Sequence, residues 1–131
     1  MKKLVAASMV LLAACGEGSA DQTGNVAGSL DARILPVESD IQLAADLTPN
    51  DAKLASKYDR SCRSCHSTVD AAAPLTGHKA AWAIRYDAKG ADGLLASTKA
   101  GFNAMPPMGL CSDCSDEELN QLITFMAGRT S

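Results

Sequence analysis

Near the middle of this 131-residue chain stands the pentapeptide Cys62-Arg63-Ser64-Cys65-His66. Two thiols three positions apart, with a histidine directly after them, form the C-x-x-C-H signature of covalent haem attachment. On one helical turn, the two thiols can add to the two vinyl groups of a single porphyrin, and the imidazole then lies beneath the iron. We therefore predict one haem c attached through Cys62 and Cys65, with His66 as an iron ligand.

Two other interpretations of these thiols stay open on the residues alone. A redox-active C-x-x-C pair is expected at a strand-to-helix junction, and no stretch of this sequence alternates like a strand. Zinc is the stronger alternative, because Cys111 and Cys114 form a second C-x-x-C pair after a gap of 45 residues. That gap is long for a compact zinc ribbon, and an oxidising compartment favours a disulfide at the second pair.

The chain from residue 48 onward has helical patterning. Thr48-Pro49-Asn50-Asp51 predicts an N-cap followed by proline at the first helical position. A helix over 79–89 should end at Gly90, and a shorter one over 92–99 should end at Gly101.

The last helix has the strongest signal in the sequence. Ser115 and Glu118 are spaced as a capping box. The apolar positions that follow at helical spacing are Leu119, Leu122, Ile123 and Met126. We therefore predict an all-α fold, with about four helices around one covalently bound haem.

Composition narrows the function. Aromatic residues make up only 4% of the chain, so a protein-only core would be thin and a haem would supply the missing apolar mass. The net charge of −3 and the lack of a basic block argue against nucleic acid as a partner.

The first residues read as a bacterial export signal. A short positive stretch at 1–3 precedes an apolar run over 4–14, which is too short to span a bilayer but fits a signal-peptide core. Leu12-Ala13-Ala14-Cys15 resembles a lipoprotein cleavage box. This predicts removal of residues 1–14 and a periplasm-facing chain anchored to a bacterial membrane through lipidated Cys15. Gly16 slightly favours the outer membrane.

Residues 15–47 carry six acids against one base and no aromatic residue. Such a composition predicts a flexible acidic tether between the anchor and a domain at 48–131. The alternative is an arm that docks on the domain through residues 34–37 and through Ile41 and Leu43.

The sixth ligand of the iron distinguishes a carrier from a catalyst. Met105 lies in a loop stiffened by two prolines, which can hold a thioether without a helix behind it. Met108 is the substitute, and His78 is a remote third option that would give a bis-histidine site. Met126 stands on the apolar stripe of the last helix and reads as a core residue.

With Ala104-Met105-Pro106-Pro107 and the run 111–119 added to the C-x-x-C-H motif, the sequence resembles cytochrome c5, a family of bacterial class I cytochromes c. Lys79-Ala80-Ala81-Trp82 and the segment 90–95 also match that family, and the resemblance covers about residues 48–129. It departs from the soluble family at the lipoprotein box, the acidic tether and Met108, which replaces a basic residue.

The resemblance implies a class I cytochrome c fold with His66 and Met105 as axial ligands. It implies a disulfide between Cys111 and Cys114, and a carbonyl of Pro74 that accepts a hydrogen bond from His66. It also implies a place for Trp82 in the haem pocket.

The functional prediction is a one-electron carrier of a bacterial respiratory chain, not an enzyme and without a small-molecule substrate. Its partners would be a donor and an acceptor redox protein, met in transient contacts. The alternative from another class is a haem enzyme or gas sensor with an open sixth position. A third hypothesis is an accessory haem subunit held in a larger complex.

Overall fold

A computed structural model describes residues 35–129 of the chain. They contain the helices α1 (Glu38–Asp46), α2 (Ala52–Lys57), α3 (Arg63–His66), α4 (Lys79–Ala100) and α5 (Asp116–Met126). A π-helical turn at Tyr58–Cys62 joins α2 to α3, and a 3₁₀ turn at Pro107–Leu110 precedes α5. Over 35–129 there is no strand, only one isolated bridge between Phe102 and Met105. The predicted all-α fold is confirmed.

The start of α2 differs from the prediction. Asp51, not Thr48, is the N-cap, and its carboxylate accepts a hydrogen bond from Leu54 N at 2.8 Å. Pro49 is buried ahead of the helix rather than at its first position. The Thr48 hydroxyl accepts instead from the Arg63 guanidinium, a tertiary contact that the local sequence does not reveal.

Gly90 divides α4, as predicted. Its φ of 66° and ψ of 178° interrupt the helix and turn the second half of α4 away from the first. Gly101 ends α4 at φ 85°, where a Cβ atom would lie 3.0 Å from the Met105 carbonyl oxygen. A side chain at Gly101 would therefore push against the backbone of the Met105 loop.

The core lies between α5 and the other helices. The predicted capping box is present, with Glu118 N donating to the Ser115 hydroxyl at 3.2 Å and Ser115 N donating to Glu118 at 2.8 Å. The residues predicted for the apolar stripe are all buried: Leu119, Leu122, Ile123 and Met126. In the same core cluster, the rings of Tyr58 and Phe125 meet edge to face, with centroids 5.2 Å apart.

Tyr58 is fully buried and its hydroxyl lies 2.9 Å from the Thr76 hydroxyl. Burial raises the pKa of the phenol above its ordinary 10.0, against the opposing effect of the Thr76 hydrogen bond. The two hydroxyls therefore form a neutral pair that joins the π-helical turn at Tyr58–Cys62 to the loop after α3.

Tyr58→Phe is expected to lower the free energy of unfolding by about 1 kcal/mol, because the Thr76 hydroxyl loses its buried partner while the ring contact with Phe125 is kept. Urea titration of the haem-loaded protein measures this change. Tyr86→Phe is the control, since the half-buried Tyr86 hydroxyl makes no hydrogen bond to another residue within 35–129. An equal loss in both variants would contradict the expectation.

The prediction of a flexible tether over the whole of 15–47 is wrong for its last part. Residues 38–46 form α1, and Ala44 is completely buried. Leu35 and Val37 are exposed, so docking uses the C-terminal half of α1 rather than the residues before it. Composition misleads here because α1 is stabilised by packing on the domain, in addition to a local cap in which Val37 N donates to the Asp40 carboxylate at 2.9 Å.

Within 35–129, no helix is both long and apolar enough to cross a membrane. The predicted signal peptide, lipidated Cys15 and the first part of the acidic segment lie outside the described residues. Their predictions stand as made from the sequence.

Candidate haem site

A cavity of about 400 Å³ opens beside the C-x-x-C-H motif. That volume lies in the range of about 300–1,000 Å³ typical of pockets for small molecules and cofactors. Much of the apolar wall comes from α4, α5 and the loop between them: Leu94, Phe102, Leu110, Ile123 and Met126. The same cavity is lined by the predicted attachment cysteines and preferred ligands, by the predicted partner of His66 and by the predicted pocket tryptophan: Cys62, Cys65, His66, Met105, Pro74 and Trp82.

His66 is held in one orientation by the loop that follows it. Its Nδ1 lies 2.7 Å from the carbonyl oxygen of Pro74, an acceptor, so Nδ1 carries the proton and Nε2 keeps its lone pair. Burial lowers the pKa of the imidazole, outweighing the opposite effect of the Pro74 bond. The ring is therefore neutral near pH 7, which is the form that binds a metal.

Trp82 supports the same ring from α4. Its indole lies 5.8 Å from the His66 ring, centroid to centroid, at an interplanar angle of 28°. Its Nε1 donates to the Leu75 carbonyl at 2.9 Å. Trp82 thus contacts the imidazole and also fastens the loop that carries Pro74.

The two thiols of the motif differ in exposure. Cys62 is buried and Cys65 is exposed, and both are free. Burial raises the pKa of the Cys62 thiol, so this sulfur is protonated at neutral pH. Both sulfurs border the cavity and are available to form thioether bonds there.

Met105 reaches the cavity from the loop between α4 and the 3₁₀ turn. The bridge between Phe102 and Met105, with N···O distances of 3.0 and 2.9 Å, holds the backbone of the loop. At Gly109, whose φ is 56°, a Cβ atom would lie 3.1 Å from the Met105 methyl carbon. Glycine there leaves room for the thioether.

Two of the other candidate ligands, Met108 and His78, do not line the cavity. Met108 is partly buried against the core cluster and is not among the residues that line the cavity. His78 is buried outside the cavity, with its Nε2 3.9 Å from an Asp40 carboxylate oxygen on α1. Met126 is buried in the core, as predicted, and also borders the cavity.

Cys111 and Cys114 are joined as a disulfide, with their Cα atoms 5.3 Å apart. In the described part of the chain, no group of three or more histidine, cysteine or acidic side chains is arranged to hold a metal ion. The four-cysteine zinc alternative therefore lacks its second pair of thiolates.

Ion pairs join α2 and the turn after it to the disulfide loop and to the first turn of α5. Arg60 lies 2.6 Å from the Asp113 carboxylate, and Lys57 lies 2.6 Å from that of Glu118. The hydrogen bond from Arg60 lowers the pKa of Asp113, and the one from Lys57 lowers the pKa of Glu118.

Acid is expected to weaken the ion pairs that Asp113 and Glu118 form with Arg60 and Lys57. Because both pKa values are lower in the folded than in the unfolded chain, the carboxylates stabilise the fold above their ordinary pKa, and this stabilisation is lost as pH falls through the folded values. When the melting temperature is measured from pH 6 to pH 3, it should begin to decrease once the pH is below about 4. The decrease should be less steep in an Asp113→Asn/Glu118→Gln double variant, and also less steep in high salt. An identical slope in the double variant would refute the expectation.

Two cations of the cavity wall were not singled out by the sequence. Arg85 and Lys89 follow Trp82 on α4 at helical spacing, which is the signal that could have found them. Burial lowers the pKa of Arg85, and Lys89 lies 3.7 Å from the centroid of the Phe102 ring. The lining of the cavity therefore fits a haem c. It provides two thiols, one imidazole, one thioether and an apolar wall, together with two cations for the porphyrin carboxylates.

The comparisons with known proteins agree with this fit. A family model described as cytochrome c oxidase, cbb3-type, subunit III matches residues 49–126. Cytochrome c5 of Azotobacter vinelandii is 54% identical over 68 residues, which cover 51% of this chain and 82% of that protein. Cytochrome c5 of Ectopseudomonas mendocina is 48% identical over 68 residues, covering 51% and 78%.

Cytochrome c-555 of Chlorobaculum tepidum is more distant, at 34% identity over 77 residues, or 56% of this chain and 70% of that protein. The predicted resemblance to cytochrome c5 and the predicted haem c are confirmed by these matches. The sequence has one C-x-x-C-H motif, and that motif borders the cavity. The chain therefore belongs to the matched family of c-type cytochromes and is a monohaem electron-transfer protein related to cytochrome c5.

Proposed function

We propose that this protein is a one-electron carrier, not an enzyme, whose haem iron is held by His66 and Met105. The observation that carries the proposal is the lining of a single cavity by Cys62, Cys65 and His66 from one part of the chain and by Met105 from another. The bound haem supplies a one-electron iron couple. The protein supplies the ligands, the apolar surroundings and the orientation.

On the His66 side, the hydrogen bond to Pro74 supports ligation through Nε2. A carbonyl that accepts from Nδ1 fixes the tautomer and makes the other nitrogen a better donor to iron. The neighbouring Trp82 ring restricts rotation of the imidazole.

On the opposite side, the Met105 loop supports a closed sixth position. Pro106 and Pro107 limit its backbone, and the bridge to Phe102 holds the residue from the other direction. A site with both axial positions filled in both oxidation states changes little in shape when the iron changes charge, which suits rapid electron transfer. Thioether ligation raises the reduction potential relative to two histidines.

Export and lipid anchoring at Cys15 are part of the same proposal. They are supported by the lipoprotein box at 12–15 and by a cysteine count that leaves no spare thiol: one acylated, two on haem and two in the disulfide. We expect the wild type to incorporate a labelled fatty acid and to sediment with membranes. A Cys15→Ser variant should do neither. Equal labelling would contradict the anchor.

The proposed partners are a donor and an acceptor redox protein of a respiratory chain, met in brief contacts. Phe102 and Leu110 border the cavity and are 51% and 64% exposed, which offers an apolar contact surface at the haem. Lys89 adds positive charge beside it. Such encounters bury less than about 1,200 Å² and weaken with salt where charge steers them.

The deciding experiment is the visible spectrum of haem-loaded protein, oxidised and reduced, with and without carbon monoxide. The expected result is a low-spin spectrum with the methionine-to-ferric charge-transfer band and no response to carbon monoxide. A high-spin or carbon-monoxide-binding haem would overturn the carrier proposal in favour of an enzyme or gas sensor.

A second candidate function is that of a haem subunit fixed in a larger complex. It is favoured by the matched family model, which is described as subunit III of a cbb3-type oxidase. Purification of the tagged protein from mildly solubilised membranes tests it. A stoichiometric oxidase in the eluate supports the fixed subunit, and the haem protein alone supports the carrier.

A further inference from the structure

Helix α1 lies outside the residues that the family model matches, which begin at 49. It nevertheless packs closely on the domain, since Ala44 is 0% exposed. None of its residues lines the haem cavity. Because α1 contacts the domain away from the haem cavity, its role is not to bind the haem directly.

The first attachment of α1 is to Arg63, which stands inside the C-x-x-C-H motif. The Arg63 guanidinium donates to the carbonyl oxygens of Ala45 at 2.7 Å and Leu47 at 3.0 Å, and to the Thr48 hydroxyl. Carbonyls at a helix C-terminus lack partners within the helix and carry partial negative charge, so a cation is favourable there. Arg63 therefore caps α1 from the haem motif.

Arg63 is itself fixed from two further directions. Its Nε donates to the Asp59 carboxylate at 2.7 Å, and its guanidinium carbon lies 4.9 Å from the centroid of the Tyr58 ring. The planar guanidinium can serve all these partners at once, which a lysine ammonium cannot.

The second attachment of α1 is to the loop 74–78, which carries the Pro74 acceptor of His66. A Cβ atom at Gly77 would lie 2.7 Å from Leu47 Cδ1 and 3.1 Å from Leu43 Cδ2, so the two leucines rest on the glycine backbone. Asp40 faces His78 at 3.9 Å. The loop is also tied back to the motif, since Thr76 N donates to the His66 carbonyl at 2.8 Å.

We propose that α1 is a strap that holds the haem motif and the loop 74–78 in register, with Arg63 and Ala44 as positioning residues for the hydrogen bond between His66 and Pro74. The strap connects the two parts of the chain whose separation sets that bond. The inference rests on the proposed role of His66 as an iron ligand.

Release of the strap has a defined consequence for the iron. If the loop 74–78 moves away from the motif, the Nδ1–H···O bond weakens and His66 becomes a poorer electron donor. A poorer donor stabilises ferric iron less, so the reduction potential rises. The amides of α1 should also exchange faster, and so should those of Thr76 and Gly77, which donate to the His66 and Met126 carbonyls, because the loop that carries them loses its contact with α1.

The experiment compares three variants in the full-length, haem-loaded protein. Arg63→Lys keeps the charge but loses the forked contacts to α1, and Ala44→Gln displaces α1 from its buried side without adding charge. Arg60→Lys is the matched control, because Arg60 precedes the motif and contacts Asp113 rather than α1. Hydrogen exchange is measured over residues 38–47 and 75–78, together with the midpoint potential.

We expect exchange in both segments to quicken at least tenfold in Arg63→Lys and Ala44→Gln, and not in Arg60→Lys. We expect the equilibrium for reduction to shift about threefold toward ferrous iron, or about 28 mV upward at 59 mV per tenfold for one electron. Faster exchange in α1 with an unchanged potential would overturn the positioning role. An unchanged exchange in both variants would overturn the strap itself.

These outcomes are separable from failure of the proposed function. If the wild-type haem binds carbon monoxide, the carrier assignment fails while the exchange measurements still report on the strap. If the wild type is closed and low-spin, a shift in potential without carbon monoxide binding in the variants identifies a change at His66 rather than loss of Met105.

Discussion

Replacing Met105 by alanine is expected to turn a haem that ignores carbon monoxide into one that binds it. Met105 lines the same cavity as the C-x-x-C-H motif, and alanine cannot reach an iron held there. The methionine-to-ferric charge-transfer band should vanish. The reduction potential should fall by a few tenths of a volt, since axial ligands set haem potentials over a range of about 0.8 V. Visible spectroscopy and redox titration measure both effects.

Met108→Ala is the matched control. This methionine is only three positions away but packs against the core cluster instead of lining the cavity. Its removal is expected to leave the charge-transfer band, the potential and the insensitivity to carbon monoxide as they are in the wild type. The reverse pattern, with Met108→Ala opening the haem and Met105→Ala silent, would reassign the ligand to Met108.

The second large effect is expected at Trp82. Trp82→Ala should lower the free energy of unfolding by about 3–5 kcal/mol, the cost of deleting a large buried aromatic side chain. Three features of the side chain contribute to the loss: the indole is 5% exposed, it lies beside the His66 ring, and its Nε1 donates to the Leu75 carbonyl. Denaturant titration of the haem-loaded protein, followed by far-ultraviolet circular dichroism, measures the change.

Ile84→Ala on the same helix separates this effect from a general weakening of α4. Ile84 is 46% exposed, so its truncation should cost within about 0.5 kcal/mol. Trp82→Phe keeps an aromatic ring but loses the indole N–H, and it should give an intermediate loss. If Trp82→Ala were no more costly than Ile84→Ala, the haem and not Trp82 would dominate packing at this wall of the cavity.

Much of the haem site could be predicted because its chemistry is local. The two thiols and His66 are neighbours in sequence, so their spacing alone indicates the haem. Pro74, Trp82 and Met105 entered through resemblance and loop composition, and all three line the same cavity as the motif. Arg85 and Lys89 were missed, although they continue the helical face of Trp82.

The errors have one physical origin. Thr48 reads locally as an N-cap, but its hydroxyl is engaged by Arg63 and Asp51 caps α2 instead. Residues 38–46 read locally as part of a tether, but they become helical where Ala44 is buried by the domain. In each case a partner distant in sequence outweighs the local preference.

The sequence by itself determined the covalent haem, the helical class, the break at Gly90 and the capped start of α5. These features depend on residues within a few positions of one another, through backbone conformation and short-range hydrogen bonds. Only the tertiary structure decided that α1 docks, that Arg63 caps it, that Tyr58 pairs with Thr76 and that Met105 rather than Met108 borders the cavity. Those choices rest on packing between distant segments, and packing exists only once the whole domain has closed around its core.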